Sequence, residues 1–286
     1  MNKLGIFYAY WSRDWDVDFI PYLDKAAALG FDILEVNAGT LPVMSPAQRA
    51  ALKEAAADRG LTLTSCVGLV RKYDISSEDQ AAQKSGVAFL KEIAAAAAET
   101  EIRSVSGILY SCWPASIDKP EDKGTYTERS VRNMKEAIKA AEDNGVVFNV
   151  EVVNRFEQFM LNTCDEALEY LARVGSPNLK ILLDTYHMNI EEDDMCDAIE
   201  RAGTKLGQLH IGESNRKPPS HGHMPWLEIG RTLRKMRFEG PVVMEPFLVP
   251  GGEVGRDIKI WRDIMPGCDV DAEAKRALDF MRIVLK

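Results

Sequence analysis

The chain of 286 residues carries 44 acidic and 35 basic side chains, for a formal net charge of −9, which disfavours nucleic acid or an anionic membrane as a partner. Its five cysteines are scattered without a CxxC pair, so the sequence predicts no disulfide framework and no zinc knuckle, and we expect a reduced, cytoplasmic protein. No apolar run approaches the ~20 residues that cross a bilayer, and we expect no export or membrane signal.

Short apolar runs alternate along the chain with longer segments of helical spacing. The apolar runs predict eight strands, over residues 4–8, 32–36, 61–67, 104–109, 146–153, 180–184, 207–211 and 241–245. The amphipathic segments predict eight helices, over residues 17–29, 46–59, 78–100, 127–143, 164–174, 195–206, 226–236 and 272–285. Capping boxes begin two helices, at Ser45 and Thr163, and Gly30, Gly60 and Gly145 follow helices where a left-handed residue is favoured.

This succession of eight strand-helix units, with no linker between them, predicts an α/β fold. We expect a (β/α)8 TIM barrel that forms one domain over residues 1–286. The alternative is a doubly wound open sheet, but no GxGxxG motif follows the first strand to support it. In a barrel of this type, the catalytic groups lie at the carboxyl ends of the strands.

Four polar residues stand at or near the ends of the last four predicted strands: Glu151, Asp184, His210 and Glu245. In a barrel they would surround one mouth. Three carboxylates and one imidazole suit Mn2+, Co2+ or Mg2+ better than a structural zinc ion. The sequence therefore indicates a candidate metal site for one divalent ion.

Each of these residues also has an ordinary structural interpretation. Asp184 alone is typical of a helix cap or a solvated loop, and His210 alone of a hydrogen-bonded core histidine. Glu151 and Glu245 are harder to explain in this way, because an unpaired charge inside an apolar strand costs several kcal/mol. The repeated placement in four successive units favours the metal site.

Other polar clusters favour the structural interpretation. The acidic run EEDD at 191–194 is typical of a solvated helix start, and His221 and His223 of a flexible loop. We interpret four of the cysteines as packing residues: Cys112, Cys164, Cys196 and Cys268.

Several longer motifs, in order along nearly the whole chain, resemble those of the ketose 3-epimerases, the D-tagatose 3-epimerase and D-allulose (D-psicose) 3-epimerase group of xylose isomerase-like barrels. The motifs are GIFYAYW, SCVGL, EVVNRFEQF, LDTYHMNIEED, HIGESNRKPP, MPWLEIG, VVMEPF and IKIWRDI. The resemblance implies an enzyme that inverts carbon 3 of free ketoses, namely D-tagatose, D-fructose, D-allulose or L-ribulose. It also implies one divalent metal per subunit, Mn2+ first and then Co2+ or Mg2+, and a homodimer or homotetramer.

Carried over residue by residue, the resemblance assigns the metal ligands to the four strand-end residues already selected. It assigns the groups that hold the sugar oxygens to Glu157, His187 and Arg216, although Glu157 and Arg216 taken alone are typical surface charges. The residues that it implies as pocket lining are Phe7, Trp15, Cys66, Trp113 and Phe247. Among these, Cys66 and Phe7 resemble the D-tagatose 3-epimerase type, since many D-allulose 3-epimerases carry glycine and tyrosine there.

The chain departs from the family motifs at two positions. Tyr186 stands where phenylalanine is usual, and Gln208 stands where histidine is common. Neither departure removes a ligand. We expect them to affect packing or hydrogen bonds behind the site, and they leave the sugar preference open.

Epimerisation beside a ketone removes the carbon 3 proton and returns one on the opposite face, through an enediolate. We therefore expect Glu151 and Glu245 to be the catalytic pair, one on each face of the sugar, with Asp184 and His210 holding the ion. Three alternatives are an aldose-ketose isomerase, a metal-dependent hydrolase related to endonuclease IV, and an inactive barrel that only binds sugar. The low histidine count, four in the chain, and the acidic charge disfavour the hydrolase.

Overall fold

The computed structural model describes residues 2–286, in which eight parallel strands form a closed barrel in chain order. The strands are β1 (Leu4–Phe7), β2 (Ile33–Asn37), β3 (Thr62–Leu69), β4 (Ser104–Cys112), β5 (Val147–Glu151), β6 (Leu179–Asp184), β7 (Leu206–Ile211) and β8 (Val242–Met244). Pairing of β1 with β8, which places Leu4 opposite Val242, closes the sheet. The predicted (β/α)8 barrel is confirmed, and the open-sheet alternative is wrong.

Helices cover the outside of the barrel. They are α1 (Ile20–Leu29), α2 (Pro46–Asp58), α3 (Gln80–Glu99), α4 (Lys123–Asp143), α5 (Cys164–Val174), α6 (Thr185–Glu191), α7 (Met195–Ala202), α8 (Trp226–Met236), α9 (Gly252–Asp257) and α10 (Val270–Val284). Short 3₁₀ helices lie at Tyr8–Tyr10, Ala38–Val43, Arg71–Tyr73, Pro120–Asp122 and Gly203–Lys205. The sequence did not predict α6 and α9, because helices of seven and six residues are too short for a helical period to stand out.

The local signals at the helix ends act as predicted. Ser45 and Thr163 both complete capping boxes, with their hydroxyls accepting from the backbone three residues later. Gly30 adopts a left-handed conformation at φ 87° and ends α1. These caps fix where the helices begin and end relative to the strands.

One glycine is required inside the sheet. Gly107 in β4 has φ +114°, and a Cβ atom there would lie 2.2 Å from the backbone oxygen of Val67 in β3. Any side chain at this position would separate the two strands. Beyond this point the register between β3 and β4 shifts, and the end of β4 continues towards Trp113.

The last strand is shorter than predicted and ends at Met244. Glu245 is therefore the first residue beyond β8, although its backbone N–H still donates to the oxygen of Ile211 at 3.0 Å. This bond keeps Glu245 level with the end of β7. Within residues 2–286, no helix combines the length and the apolar character needed to cross a bilayer.

Candidate active site

Four residues from four neighbouring strands meet at one mouth of the barrel. Glu151 and Asp184 are the last residues of β5 and β6, His210 is the fifth residue of β7, and Glu245 follows β8. One ligand atom from each lies within 4.8 Å of the others, and all four residues are buried. The barrel thus brings together the four residues that the sequence predicted as one site.

The donor set fits a divalent cation. Three carboxylates and an imidazole are the ligand types that Mn2+, Co2+ and Mg2+ accept. His210 Nδ1, which lies 3.5 Å from Glu245 Oε1, is buried and has no hydrogen-bond partner within residues 2–286. A buried ring nitrogen of this kind needs a partner, and a metal ion would supply one.

Electrostatics in this cluster are dominated by like charges. Burial, together with the neighbouring Glu245 carboxylate, raises the pKa of Glu151 well above its ordinary value, while His210 opposes the increase. Burial alone would lower the pKa of His210, but the carboxylates of Glu35 and Glu245 outweigh it and raise that pKa. Protons therefore partly neutralise the cluster, and a cation that binds there must displace them.

Asp184 serves two purposes at once. Its Oδ1 accepts from the backbone N–H of Tyr186 at 2.9 Å and caps α6. Its Oδ2 points into the cluster and lies 3.2 Å from Arg216 Nη1. The helix-cap interpretation and the metal-site interpretation of this residue are thus both compatible with the structure.

Arg216 is buried rather than exposed, contrary to the surface interpretation. Its Nη1 lies 3.2 Å from Asp184 Oδ2 and 3.3 Å from Glu245 Oε2, and its guanidinium stacks 3.7 Å from the ring centre of Tyr186. Burial would lower the pKa of Arg216, but the charges of Asp184 and Glu245 raise it above its ordinary value. The guanidinium is therefore a fixed positive charge beside two of the carboxylates.

The loop that carries Arg216 is held by a residue that sequence reasoning missed. Glu213 is fully buried, and its carboxylate accepts from Ser220 N at 2.8 Å and from Trp226 Nε1 at 2.7 Å. Arg216 itself adopts a left-handed backbone conformation at φ 62° and donates from its N–H to Glu213 O. These bonds tie the β7–α8 loop into one conformation and so place the guanidinium.

His187, on the first turn of α6, faces the same cluster. Its Nδ1 lies 3.2 Å from the backbone N and 2.7 Å from the side-chain Nδ2 of Asn154. Burial is the main reason that the pKa of His187 falls to about 3, so the ring is neutral. Because Nδ1 accepts from Asn154, the ring proton is on Nε2, which lies 3.8 Å from Glu151 Oε1 and from Asp184 Oδ2.

A cleft of about 630 Å³ opens beside these residues, and its walls include Trp113, Glu157 and Arg216. Glu157 is partly buried: its Oε2 accepts from Trp113 Nε1 at 3.0 Å and its Oε1 from Asn154 Nδ2 at 3.0 Å. Arg216 Nη2 lies 3.9 Å from Glu157 Oε1. The three predicted substrate-holding residues are therefore grouped at the entrance to the cluster.

Aromatic side chains form the opposite part of the mouth. The rings of Phe7, Trp15 and Phe247 are in mutual contact, with centroids 6.1–6.4 Å apart. Trp15 is fixed by a hydrogen bond from Nε1 to Asp257 Oδ2 at 2.9 Å. Cys66, on β3, is buried, and its thiol lies within 4.8 Å of a ligand atom of His210. The predicted lining residues thus lie around the cluster of carboxylates and His210.

Glu35 on β2 is a second residue that sequence reasoning missed. It is fully buried, and its Oε1 lies 2.6 Å from His210 Nε2, on the side of the ring that faces away from the carboxylate cluster. A charge inside the apolar run DILEV was an available signal, of the same kind as Glu151 in NVEVV. Unlike Glu151, Glu35 is the central residue of its strand, so the pattern of polar residues at strand ends does not include it.

The sequence matches the xylose isomerase-like TIM barrel family over residues 23–282. It is 45% identical over 287 residues to the D-psicose 3-epimerase of Ruminiclostridium cellulolyticum, covering 99% of this chain and 98% of that protein. The chain belongs to the ketose 3-epimerase family. It is also 34% identical over 269 residues to the ketose 3-epimerase of Arthrobacter globiformis, covering 92% and 90% of the two chains.

A solved ketose 3-epimerase structure has nearly the same fold. The D-psicose 3-epimerase from Clostridium cellulolyticum H10, crystallised with D-tagatose, superposes with a TM-score of 0.96 at 45% identity, covering 99% of both chains. The family resemblance predicted from the motifs is therefore confirmed.

The two departures from the ketose 3-epimerase motifs both lie beside the site. Gln208 donates from Nε2 to Glu35 Oε2 at 2.6 Å, and its Oε1 accepts from Ser104 Oγ at 2.9 Å. Tyr186 is the ring on which Arg216 stacks. The expected effect on packing and on hydrogen bonds behind the ligands is consistent with these contacts.

The acidic run 191–194 is only partly the solvated segment that was predicted. Asp194 caps α7, as expected of a helix start. The side chains of Glu191 and Glu192, however, are only 5% exposed and pair with Arg155 and Arg201. The prediction was wrong for these two because their partners come from other elements.

The remaining predicted structural residues lie outside the cluster. His221 Nε2 lies 2.7 Å from Glu273 Oε2 and His223 Nδ1 lies 3.4 Å from Ser214 Oγ, so the two histidines contact different partners. Cys112 and Cys164 are buried, whereas Cys196 and Cys268 are half-buried. All five cysteines are free thiols.

Proposed function

We propose that this protein is a metal-dependent ketose 3-epimerase that inverts carbon 3 of free ketoses. The candidate substrate pairs are D-tagatose and D-sorbose, D-fructose and D-allulose, and L-ribulose and L-xylulose. The observation that carries the proposal is that two buried glutamates, Glu151 and Glu245, lie in one cluster of possible metal ligands at the mouth of a ketose 3-epimerase barrel.

The ligands of the ion would be Glu151, Asp184, His210 and Glu245. A divalent cation held there supplies Lewis-acid stabilisation of the negative charge that develops next to the reacting carbon, worth several kcal/mol. We propose Mn2+ as the native ion, with Co2+ and Mg2+ as substitutes, because a mostly oxygen donor set accepts all three.

The catalytic step belongs to the two glutamates. One carboxylate removes the proton from carbon 3, the enediolate of the sugar forms, and the other returns a proton to the opposite face. A positioned base typically contributes about 10²–10⁴ in rate. Both carboxylates are buried, and so are shielded from the water that would otherwise weaken them as bases.

Substrate is held by the residues at the entrance. His187, with its proton on Nε2, donates towards a sugar oxygen, and Arg216 donates from a guanidinium already fixed by Asp184 and Glu245. Glu157 accepts from a sugar hydroxyl. The apolar lining of Phe7, Trp15, Trp113 and Phe247, with Cys66 deeper in the pocket, would pack against the carbon face of the sugar.

We also propose that the 286 residues form one domain, that the protein is cytoplasmic, and that it assembles as a homodimer or homotetramer. Support for assembly comes from Phe156 and Trp261, which line the cleft and are 74% and 73% exposed. Large exposed apolar side chains are typical of interaction sites. Light scattering on the purified protein would give the subunit count.

The test is an incubation of EDTA-stripped protein with D-fructose and, separately, with D-tagatose, with and without Mn2+, followed by chromatography of the sugars. We expect D-allulose and D-sorbose, respectively, to form only when metal is present, and the rates to rank the two substrates. If aldoses form instead, the proton moves between carbons 1 and 2, and the protein is an aldose-ketose isomerase. If metal-free protein binds sugar but no product forms under any condition, the barrel is only a binding protein.

A further inference from the structure

Glu35 has an unusual position for a carboxylate. It is fully buried on β2, and within residues 2–286 no lysine or arginine lies within 4.0 Å of it. Its hydrogen-bond partners are Thr64 Oγ1 at 2.8 Å, Gln208 Nε2 at 2.6 Å and His210 Nε2 at 2.6 Å. A buried carboxylate is stable only when its oxygens are satisfied, and these three contacts satisfy both of them.

The contact with Glu35 determines where the proton of His210 lies. A carboxylate is only an acceptor, so the ring nitrogen that faces it, Nε2, must be the donor. An imidazole binds a metal only in its neutral form, which has a single N–H; with Nε2–H held by Glu35, the proton given up on binding is the one on Nδ1. Nδ1 faces the cluster, 3.5 Å from Glu245 Oε1, so its lone pair is then presented to the cation.

Gln208 supports this assignment. Its side-chain nitrogen also lies 3.0 Å from His210 Nε2, a distance that would permit a hydrogen bond. Glu35 Oε2, however, is closer at 2.6 Å and can only accept, and Gln208 Oε1 is taken up by the Ser104 hydroxyl at 2.9 Å. The amide is therefore held with its nitrogen towards Glu35, and His210 Nε2 donates to the carboxylate rather than accepting from the amide.

We propose that Glu35 is a positioning residue for the metal centre: through the hydrogen bond to His210 Nε2, it holds the ring orientation and the tautomer that present Nδ1 to a divalent cation. The inference rests on the proposed metal-dependent function and adds a residue outside the four proposed ligands. Outer residues that orient a metal-binding imidazole typically affect metal affinity by about 10–100-fold.

The direct test is Mn2+ binding to metal-stripped protein, measured from the electron paramagnetic resonance signal of free Mn2+ and therefore independent of activity. Glu35→Gln keeps the shape of the side chain and removes its charge, and we expect it to weaken Mn2+ binding by about 10–100-fold. Thr64→Val is the matched control, since it removes another hydrogen bond to the same carboxylate without changing the contact to His210. We expect it to change Mn2+ affinity by less than about threefold if His210 is the route.

The outcomes separate the inference from the proposed function. If the unmodified protein binds no Mn2+, the proposed metal dependence fails first. If it binds Mn2+ and folded Glu35→Gln binds equally well, or if Thr64→Val weakens binding as much, Glu35 is not the positioning residue. Folding of each variant is checked by circular dichroism.

Should Glu35→Gln not fold, a measurement on the unmodified protein decides. The measurement is NMR of the Mg2+-bound protein with 15N-labelled histidine. The spectrum contains the signals of only four histidines, and the signal of His210 is identified by its absence in His210→Asn. A proton on Nε2 supports the proposal, and a proton on Nδ1 overturns it.

Discussion

The two-base step can be tested by replacing each glutamate separately and following isotope exchange as well as epimerisation. The two epimers of a ketose present their carbon 3 hydrogen to opposite faces of the bound sugar. In Glu245→Gln, only the face served by Glu151 keeps its base, so one epimer should still exchange this hydrogen in D2O and the other should not. Glu151→Gln should give the opposite result. Neither variant should interconvert the epimers.

The size of the loss follows from the burial of the two carboxylates. Glu151 and Glu245 are 4% and 7% exposed, so little water has access to replace a missing base. Each variant should therefore lose at least about 10²–10⁴ in epimerisation rate, which corresponds to about 3–5 kcal/mol in the barrier. Because both residues are also proposed ligands, the rates must be measured at Mn2+ concentrations that saturate each variant.

Glu192→Gln is a suitable control for this experiment. The Glu192 side chain is 5% exposed, about as buried as the two bases, but it pairs with Arg201 and accepts from Cys164 N away from the cluster. It should lose stability without a comparable loss of epimerisation. The two-base scheme is wrong if either active-site variant keeps more than about a tenth of the rate, or if one variant abolishes exchange of both epimers while the other preserves both.

Three further outcomes are expected. Removing metal with EDTA should abolish epimerisation, and restoring Mn2+ to 100 times its Kd should raise the unfolding free energy by about 2.7 kcal/mol, seen as a higher Tm. Burial depresses the pKa of His187 to about 3, so on acidification the unfolded chain takes up a proton at this residue before the folded protein does. The unfolding free energy should therefore fall by about 2 kcal/mol between pH 7 and pH 5 because of His187. In His187→Gln, urea unfolding should show a fall in unfolding free energy that is smaller by this amount. Cys66→Gly should enlarge the pocket beside His210 and change the ratio of the D-fructose and D-tagatose rates by up to about 10-fold. An unchanged ratio would show that Cys66 does not determine which sugar is preferred.

The ligand cluster was predictable from the sequence because strand ends are local features with a common geometry. A polar residue at the end of an apolar run can be read without knowledge of its neighbours. In a closed parallel barrel all such ends lie at one mouth, so Glu151, Asp184 and Glu245 had to be close once the fold was known. Predicting the fold correctly was therefore almost sufficient to predict the cluster.

The residues that support the cluster could not be found in the same way. Glu35 and His210 are 175 positions apart, and only the barrel register brings them into contact. Arg216 and Glu157 are in loops, where a charged residue is usually solvated, and their burial depends on how the loops close. For these, family resemblance was the only available guide. The two extra helices, α6 and α9, escaped prediction because of their length, and α6 is the one that places His187 over the site.

The charge balance explains why the supporting residues are needed. Glu35, Glu151, Asp184 and Glu245 are four buried carboxylates, and within residues 2–286 Arg216 is the only buried guanidinium among their ion-pair partners. Asp184 Oδ1 accepts from the backbone at the start of α6, so only Oδ2 is left for both Arg216 and the proposed ion. The guanidinium thus neutralises the same carboxylates that would bind the cation, and it limits how tightly they bind it. Under the proposed function, a divalent ion that displaced the protons of the cluster would leave Glu151 deprotonated, as a base must be.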